Sequence, residues 1–132
     1  MGPNMCKLCE IINQATGNTL NCANVNLYQN EKIGISWHAD DEKIFKNKKK
    51  EKINIVSISF LSARLFEIRK KKSKKVFNSF FLEPWTLYEM SGCFQEEFQH
   101  RIPFSDIECG WRLNITFRQI TQHDPKCCCF NN

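Results

Sequence analysis

The chain has 132 residues, long enough for one domain with a core of its own and too short for two of ordinary size. With 42% hydrophobic residues and eleven phenylalanines it carries apolar surface that a disordered chain lacks, and this aromatic content favours strands. The formal charge of +5 gathers in two runs, Lys43, Lys46, Lys48, Lys49, Lys50 and Lys52, then Arg69 through Lys75. Each run reads as a mobile basic loop that either aids solubility or attracts a polyanion through its phosphates.

Eight cysteines would suit the disulfide framework of a secreted protein, but the start lacks the basic, apolar and small-residue pattern of a signal peptide. Reduced thiols in an intracellular protein, nuclear or cytoplasmic, are expected instead. No apolar stretch approaches the roughly 20 residues needed to span a bilayer. The expectation is a soluble monomer without a membrane partner.

In chain order, Leu8, Ile11, Ile12 and Ala15 fall at helical spacing within Met5 to Ala15, and Thr16-Gly17-Asn18 supplies a stop. Segments with strand character follow at Ala23 to Tyr28, Gly34 to His38, Ile53 to Phe60, Leu65 to Ile68, Val76 to Leu82, Thr86 to Met90 and Arg112 to Ile120. Polar or basic connections separate them, as in an antiparallel sandwich or barrel. In the last segment Arg112, Asn114, Thr116 and Arg118 alternate with Leu113, Ile115 and Phe117, so one face is polar and the other apolar. A surface strand has the same pattern, but arginines at both ends of one face suit a small dianion inside a barrel.

His38-Ala39-Asp40 places an imidazole and a carboxylate two residues apart on one face, able to share an ion. His100, near the end of a later extended segment, is the natural third ligand, with His123 the remaining histidine. Two histidines and one carboxylate leave open positions for a bidentate cosubstrate and dioxygen, as in non-haem iron(II) oxygenases, whereas zinc favours a closed shell or a single open position. A His-x-Asp pair alone recurs by chance.

Asn26-Leu27-Tyr28, Trp37-His38-Ala39-Asp40-Asp41-Glu42 and Val56-Ser57-Ile58-Ser59-Phe60 together resemble the catalytic core of AlkB-type dioxygenases, in the nucleic-acid-repair branch. Arg64 through Arg69, Gln99 through Pro103 and Arg112 through Arg118 continue the resemblance in order, over most of the chain from Leu8 to Ile120. The resemblance implies a mostly β, double-stranded β-helix (jelly roll) after a short N-terminal helix. It implies iron(II) held by His38, Asp40 and His100, with 2-oxoglutarate as cosubstrate. Arg112 and Arg118 would pair with its two carboxylates, and Asn26, Tyr28 and Asn114 would complete its hydrogen bonds. Oxidative demethylation of N-alkylated bases follows, with formaldehyde, succinate and carbon dioxide as products. On the substrate side the resemblance implies Asp41 and Glu42 beside the base, and Arg69 with the following lysines on the nucleic-acid backbone.

Two departures qualify the resemblance. Only 37 residues precede His38, so the segment that forms a base-gripping lid in the family is expected to be absent or much shortened, and single-stranded DNA or RNA becomes the favoured substrate. At Pro84-Trp85-Thr86 relatives tend to carry a glycine turn; Trp85 is unsuited to positive φ, so a different turn is expected, with His100 less well placed. Residues 1–132 are expected to form one dioxygenase core with a flexible tail at 121–132.

Cys6-Lys7-Leu8-Cys9 has the spacing of half a zinc site but no second pair, Cys127-Cys128-Cys129 lacks the neighbours of a lipidation site, and His123 lies in a polar turn. The alternatives to nucleic-acid demethylation are an oxygenase for a protein or small substrate, against which Asp41, Glu42 and the arginine-rich block argue, and an inactive truncated binding module.

Overall fold

The computed structural model describes residues 1–42, 45 and 53–120. The first lysine run, His123, the Cys127-Cys128-Cys129 cluster and the expected tail lie outside the described residues.

Helix α1 (Pro3–Thr16) begins on a proline whose missing N–H is no loss there and ends at Gly17, whose φ of 70° lets its N–H reach the Asn13 carbonyl at 2.8 Å. The Asn13 side chain then accepts from Leu20 N–H at 2.8 Å and donates to Leu20 C=O at 2.9 Å, turning the chain back along the helix. The expected apolar stripe is shifted. Cys9 and Ile12 are buried, whereas Ile11 is 54% exposed, because the sheet beneath meets the face on which Met5, Leu8, Cys9 and Ile12 are neighbours.

Among the described residues eight strands follow: β1 (Cys22–Tyr28), β2 (Ile35–His38), β3 (Ile55–Leu61), β4 (Arg64–Lys70), β5 (Val76–Leu82), β6 (Leu87–Met90), β7 (Phe98–Ile102) and β8 (Arg112–Arg118). A single turn of helix, α2 (Phe94–Glu97), precedes β7. Both α2 and the start of β7 escape the periodicity argument, since each is too short to show a period. The strands form two antiparallel four-stranded sheets, β1-β8-β3-β6 and β2-β7-β4-β5. Every connection except the β4–β5 hairpin crosses between the sheets, which is the winding of a jelly roll.

One core fills the space between the sheets with Tyr28, Ile55, Phe66, Ile68, Leu82, Met90 and Ile102. A second lies outside the first sheet, where α1 covers Val56, Ile115 and Phe117. This division explains the alternation of β8, whose apolar side meets the helix while its polar side lines the interior. The helix covers only one end of that outer face; Val25, Leu27 and Leu87 on the remainder are exposed.

Two expectations need correction. Trp85 does adopt positive φ, at 66°, in a turn closed by Thr86 N–H to Glu83 C=O at 3.2 Å with Pro84 leading into it. Its N–H also donates to Ser59 C=O at 2.6 Å, and its ring meets Phe60 edge-on at 4.9 Å. These contacts offset a left-handed conformation that costs a non-glycine residue about 1 kcal/mol or more. The second basic run is a loop only from residue 71 on: Arg69 and Lys70 belong to β4, and the 71–75 turn is closed by Ser73 N–H to Lys70 C=O at 2.9 Å and Lys75 N–H to Ser73 Oγ at 3.1 Å. Among the described residues no helix is long and apolar enough to cross a membrane.

Candidate active site

Strand pairing assembles the first cluster. β2 and β7 set His38 directly opposite His100, and the register shifts between Ile35 and His38. That bulge changes the parity of β2, so both Ile35 and His38 face the interior cavity although they are three residues apart. Asp40 follows just beyond the strand, its N–H donating to the buried Gln95 Oε1 at 2.9 Å. One donor atom from each of His38, Asp40 and His100 lies within 4.8 Å of the others, the only such group among the described residues.

The two imidazoles are held differently. His38 Nδ1 is 2.8 Å from the Ser36 carbonyl, which assigns the proton to that nitrogen and leaves the Nε2 lone pair free. His100 is 5% exposed and packs against Phe66 and Phe94, with Nε2 3.6 Å from Asp40 Oδ2. Burial, reinforced by the neighbouring His38, pushes its pKa down to about 4, so the ring is a neutral donor at physiological pH.

The second cluster is the polar face of β8. Register places Tyr28 opposite Arg112 and Asn26 opposite Asn114 on one side, and Ser59 opposite Asn114 on the other. Arg112 Nη2 donates to Ser59 Oγ at 2.8 Å and to Asn114 Oδ1 at 3.0 Å, and the guanidinium lies 5.0 Å from the Tyr28 ring centre. Asn114 also receives Ser57 Oγ at 2.9 Å and donates to Thr116 Oγ1 at 2.9 Å, so its amide is largely spent in orienting the arginine. Arg112 is 1% exposed, pairs with no carboxylate among the described residues, and keeps Nε and Nη1 without partners. Burial lowers its pKa, and raises that of Tyr28. A buried cation in this state is costly until an anion arrives.

Both clusters line one cavity of about 170 Å³, His38, Asp40, His100 and Arg118 at one end and Tyr28, Arg112 and Asn114 deeper in. At the ~10–15 Å³ that a single water requires, this space admits a molecule on the order of ten non-hydrogen atoms. Arg118 donates to Asp40 Oδ1 at 2.5 Å while its buried Nε is unpartnered, so it joins the cluster to the cavity.

The chain matches the 2OG-Fe(II) oxygenase superfamily over residues 1–118. It belongs to that superfamily. Within this oxygenase family it is of the AlkB type, being similar to two mammalian proteins named alpha-ketoglutarate-dependent dioxygenase alkB homolog 3. The human one is 35% identical over 123 residues and the Bos taurus one 34%, each match covering 87% of this chain and 41% of the relative. The DNA oxidative demethylase ALKBH2 of Arabidopsis thaliana is 29% identical over 126 residues, covering 79% of this chain and 39% of that protein. The chain thus spans about two fifths of the length of these relatives.

Iron(II) and 2-oxoglutarate are the superfamily's cofactor and cosubstrate, and the oxygenase cavity fits both. Two imidazoles and a carboxylate are a donor set for iron(II) that leaves coordination positions open. The unpaired Arg112 nitrogens are donors of the type a carboxylate accepts.

Residues expected on the substrate side divide. Asp41, next to the cluster, pairs with Lys71 at 2.7 Å, and Glu42 is exposed. Arg69 lies on the outer face of the second sheet, donating to Gln99 Oε1 at 3.0 and 2.8 Å and stacking 4.5 Å over Trp37, whose ring also carries Arg101 at 4.7 Å. Gln95 was invisible to sequence reasoning, because it meets Asp40 across 55 positions. Ser57 and Ser59 were legible in principle, since their alternation matches the polar face of β8. Cys6, Cys9, Cys22, Cys93 and Cys109 are free thiols, and the Cys9 thiol donates to Leu20 C=O at 3.2 Å rather than joining a metal site.

Proposed function

We propose that this chain is the catalytic core of an oxidative demethylase for N-alkylated bases in DNA or RNA, with single strands favoured. One observation carries the reading: one cavity has His38, Asp40 and His100 at one end and, at the other, a buried arginine with no anionic partner among the described residues. Bound iron(II) and 2-oxoglutarate would supply, from dioxygen, the oxidising power to hydroxylate an N-alkyl carbon that then leaves as formaldehyde, with succinate and carbon dioxide as co-products.

In this reading His38 and His100 donate through their Nε2 atoms and Asp40 through its carboxylate. The Gln95 contact fixes the Asp40 backbone, and the Ser36 contact fixes the His38 tautomer. Arg112 would receive one carboxylate of the cosubstrate, with Ser59 and Asn114 holding the guanidinium so that Nε and Nη1 are left without partners. Tyr28 and Asn26 flank it on β1, and Arg118, paired with Asp40 and with its Nε unpartnered, would take the other carboxylate. Phe66 and Phe94 pack against His100 and would shield that ligand from water. Asp41 and Glu42 favour a cationic methylated base by charge, and Arg69 meets nucleic acid outside the cavity. The unit is a single oxygenase core acting as a monomer inside the cell, in nucleus or cytoplasm, consistent with its free thiols.

The test is succinate formation by reduced protein with iron(II), ascorbate and 2-oxoglutarate, with and without an oligonucleotide containing 1-methyladenine or 3-methylcytosine. Stimulation by the methylated strand is expected. Turnover indifferent to any oligonucleotide would redirect the reading to another substrate, and absence of both iron binding and turnover would leave a non-catalytic module.

A further inference from the structure

We infer that Phe77 is a stacking platform for a base of single-stranded nucleic acid, with the Lys70–Lys75 turn holding the adjoining phosphates; this rests on the nucleic-acid reading of the site. Phe77 is not placed by ordinary strand alternation. The pairing of Ile68 with Asn78 is followed by that of Arg69 with Val76, which leaves Phe77 as the extra residue of a bulge. Bulges re-aim a side chain, and this one turns a large aromatic ring to solvent, 64% exposed.

The ring stands at the end of an aromatic row that leads to the active site. Phe77 lies 5.5 Å from Phe98, Phe98 5.5 Å from Phe94, and Phe94 5.9 Å from His100, centre to centre. Phe98 and His100 share one face of β7 two residues apart, roughly 7 Å by strand rise. A base on Phe77 would therefore belong to a nucleotide close to the one whose alkyl group meets the metal.

Charge identifies the partner. Five of the six residues from Lys70 to Lys75 are lysines, and the Lys70 ammonium lies 6.0 Å from the Phe77 ring centre. Lys71 pairs with Asp41 beside the metal cluster and its N–H donates to Glu97 C=O at 2.9 Å, anchoring the turn to the active-site end. Lys70, Lys72, Lys74 and Lys75 have no ion-pair partner among the described residues. An exposed aromatic face among unpaired ammonium groups is the combination that binds single strands without regard to sequence, stacking on the base and neutralising the phosphates.

Binding of labelled oligothymidylate to the full chain without iron or 2-oxoglutarate tests this separately from demethylation. Phe77→Ala should weaken binding about tenfold with the salt slope unchanged, and Phe77→Trp should retain affinity and show fluorescence quenching at position 77 on binding. Alanine at Lys70, Lys72 and Lys74 together should flatten the salt slope. On an abasic strand of the same length the Phe77→Ala effect should vanish. The inference is overturned if wild-type protein does not bind the strand, if Phe77→Ala binds as wild type, or if its loss is equally large on the abasic strand or on polyglutamate.

Discussion

Replacing Arg112 by methionine separates the two roles that a buried arginine can have. The side chain is 1% exposed, and its partners are Ser59 Oγ, Asn114 Oδ1 and the Tyr28 ring, none of them charged. After the substitution Asn114 Oδ1 retains donors from Ser57 at 2.9 Å and Ser59 at 3.2 Å, so no new unsatisfied acceptor is created there. Removing a buried, uncompensated charge for an apolar chain of similar length is neutral or stabilising by about 1–4 kcal/mol. Without 2-oxoglutarate, then, the variant should unfold at or above the wild-type temperature.

With 2-oxoglutarate the order should reverse. Charged hydrogen bonds to the carboxylate at Arg112 are worth about 3 kcal/mol, roughly a hundredfold in Kd. At a concentration about 100 times the wild-type Kd, bound ligand stabilises wild type by about 2.7 kcal/mol but the variant by only about 0.4 kcal/mol. For a chain of this size that is a rise in Tm of about 8 °C against about 1 °C, readable by thermal unfolding with manganese(II) in place of iron. An equal ligand-induced rise in both proteins, or a ligand-free variant more than about 2 kcal/mol less stable, would refute the assignment and make Arg112 a structural fastener.

Other outcomes follow from the same contacts. His38→Ala and Asp40→Ala should each abolish metal-dependent turnover, whereas Cys9→Ser, whose hydroxyl can still donate to Leu20 C=O, should keep it; succinate assays and metal titration read both. Gln95→Leu removes the acceptor of Asp40 N–H and should weaken metal binding at least tenfold, comparable to loss of other contacts that orient a ligand, with the fold retained by circular dichroism. Because the His100 pKa falls to about 4 on folding from an unfolded value near 6.5, the unfolded chain binds more protons between those limits. Stability of the metal-free protein should therefore decline as pH drops from about 6.5 to about 4, by at most about 3 kcal/mol from this group. His100→Gln should lose that part of the slope in denaturant titrations, and a variant with the full wild-type slope would contradict the assignment.

What the sequence determined by itself lies within single elements. Alternation along β8 is a property of seven consecutive residues, so its polar and apolar faces were legible before any partner was known. The stop of α1 was likewise local, carried by Gly17 at positive φ. The spacing of His38 and Asp40, and the order of the motif blocks, suggested an oxygenase because chemistry and family pattern agreed.

Tertiary structure decided what two distant segments do to each other. His100 meets His38 because β2 and β7 pair in one register, and a bulge rather than simple alternation turns His38 inward. The buried stripe of α1 runs through Cys9 instead of Ile11 because the sheet beneath selects the face. Trp85 holds a conformation its own torsions disfavour because Ser59 and Phe60, neighbours only after folding, supply compensating contacts. In each case the deciding free energy belongs to a contact between segments far apart in sequence, and no local propensity encodes it.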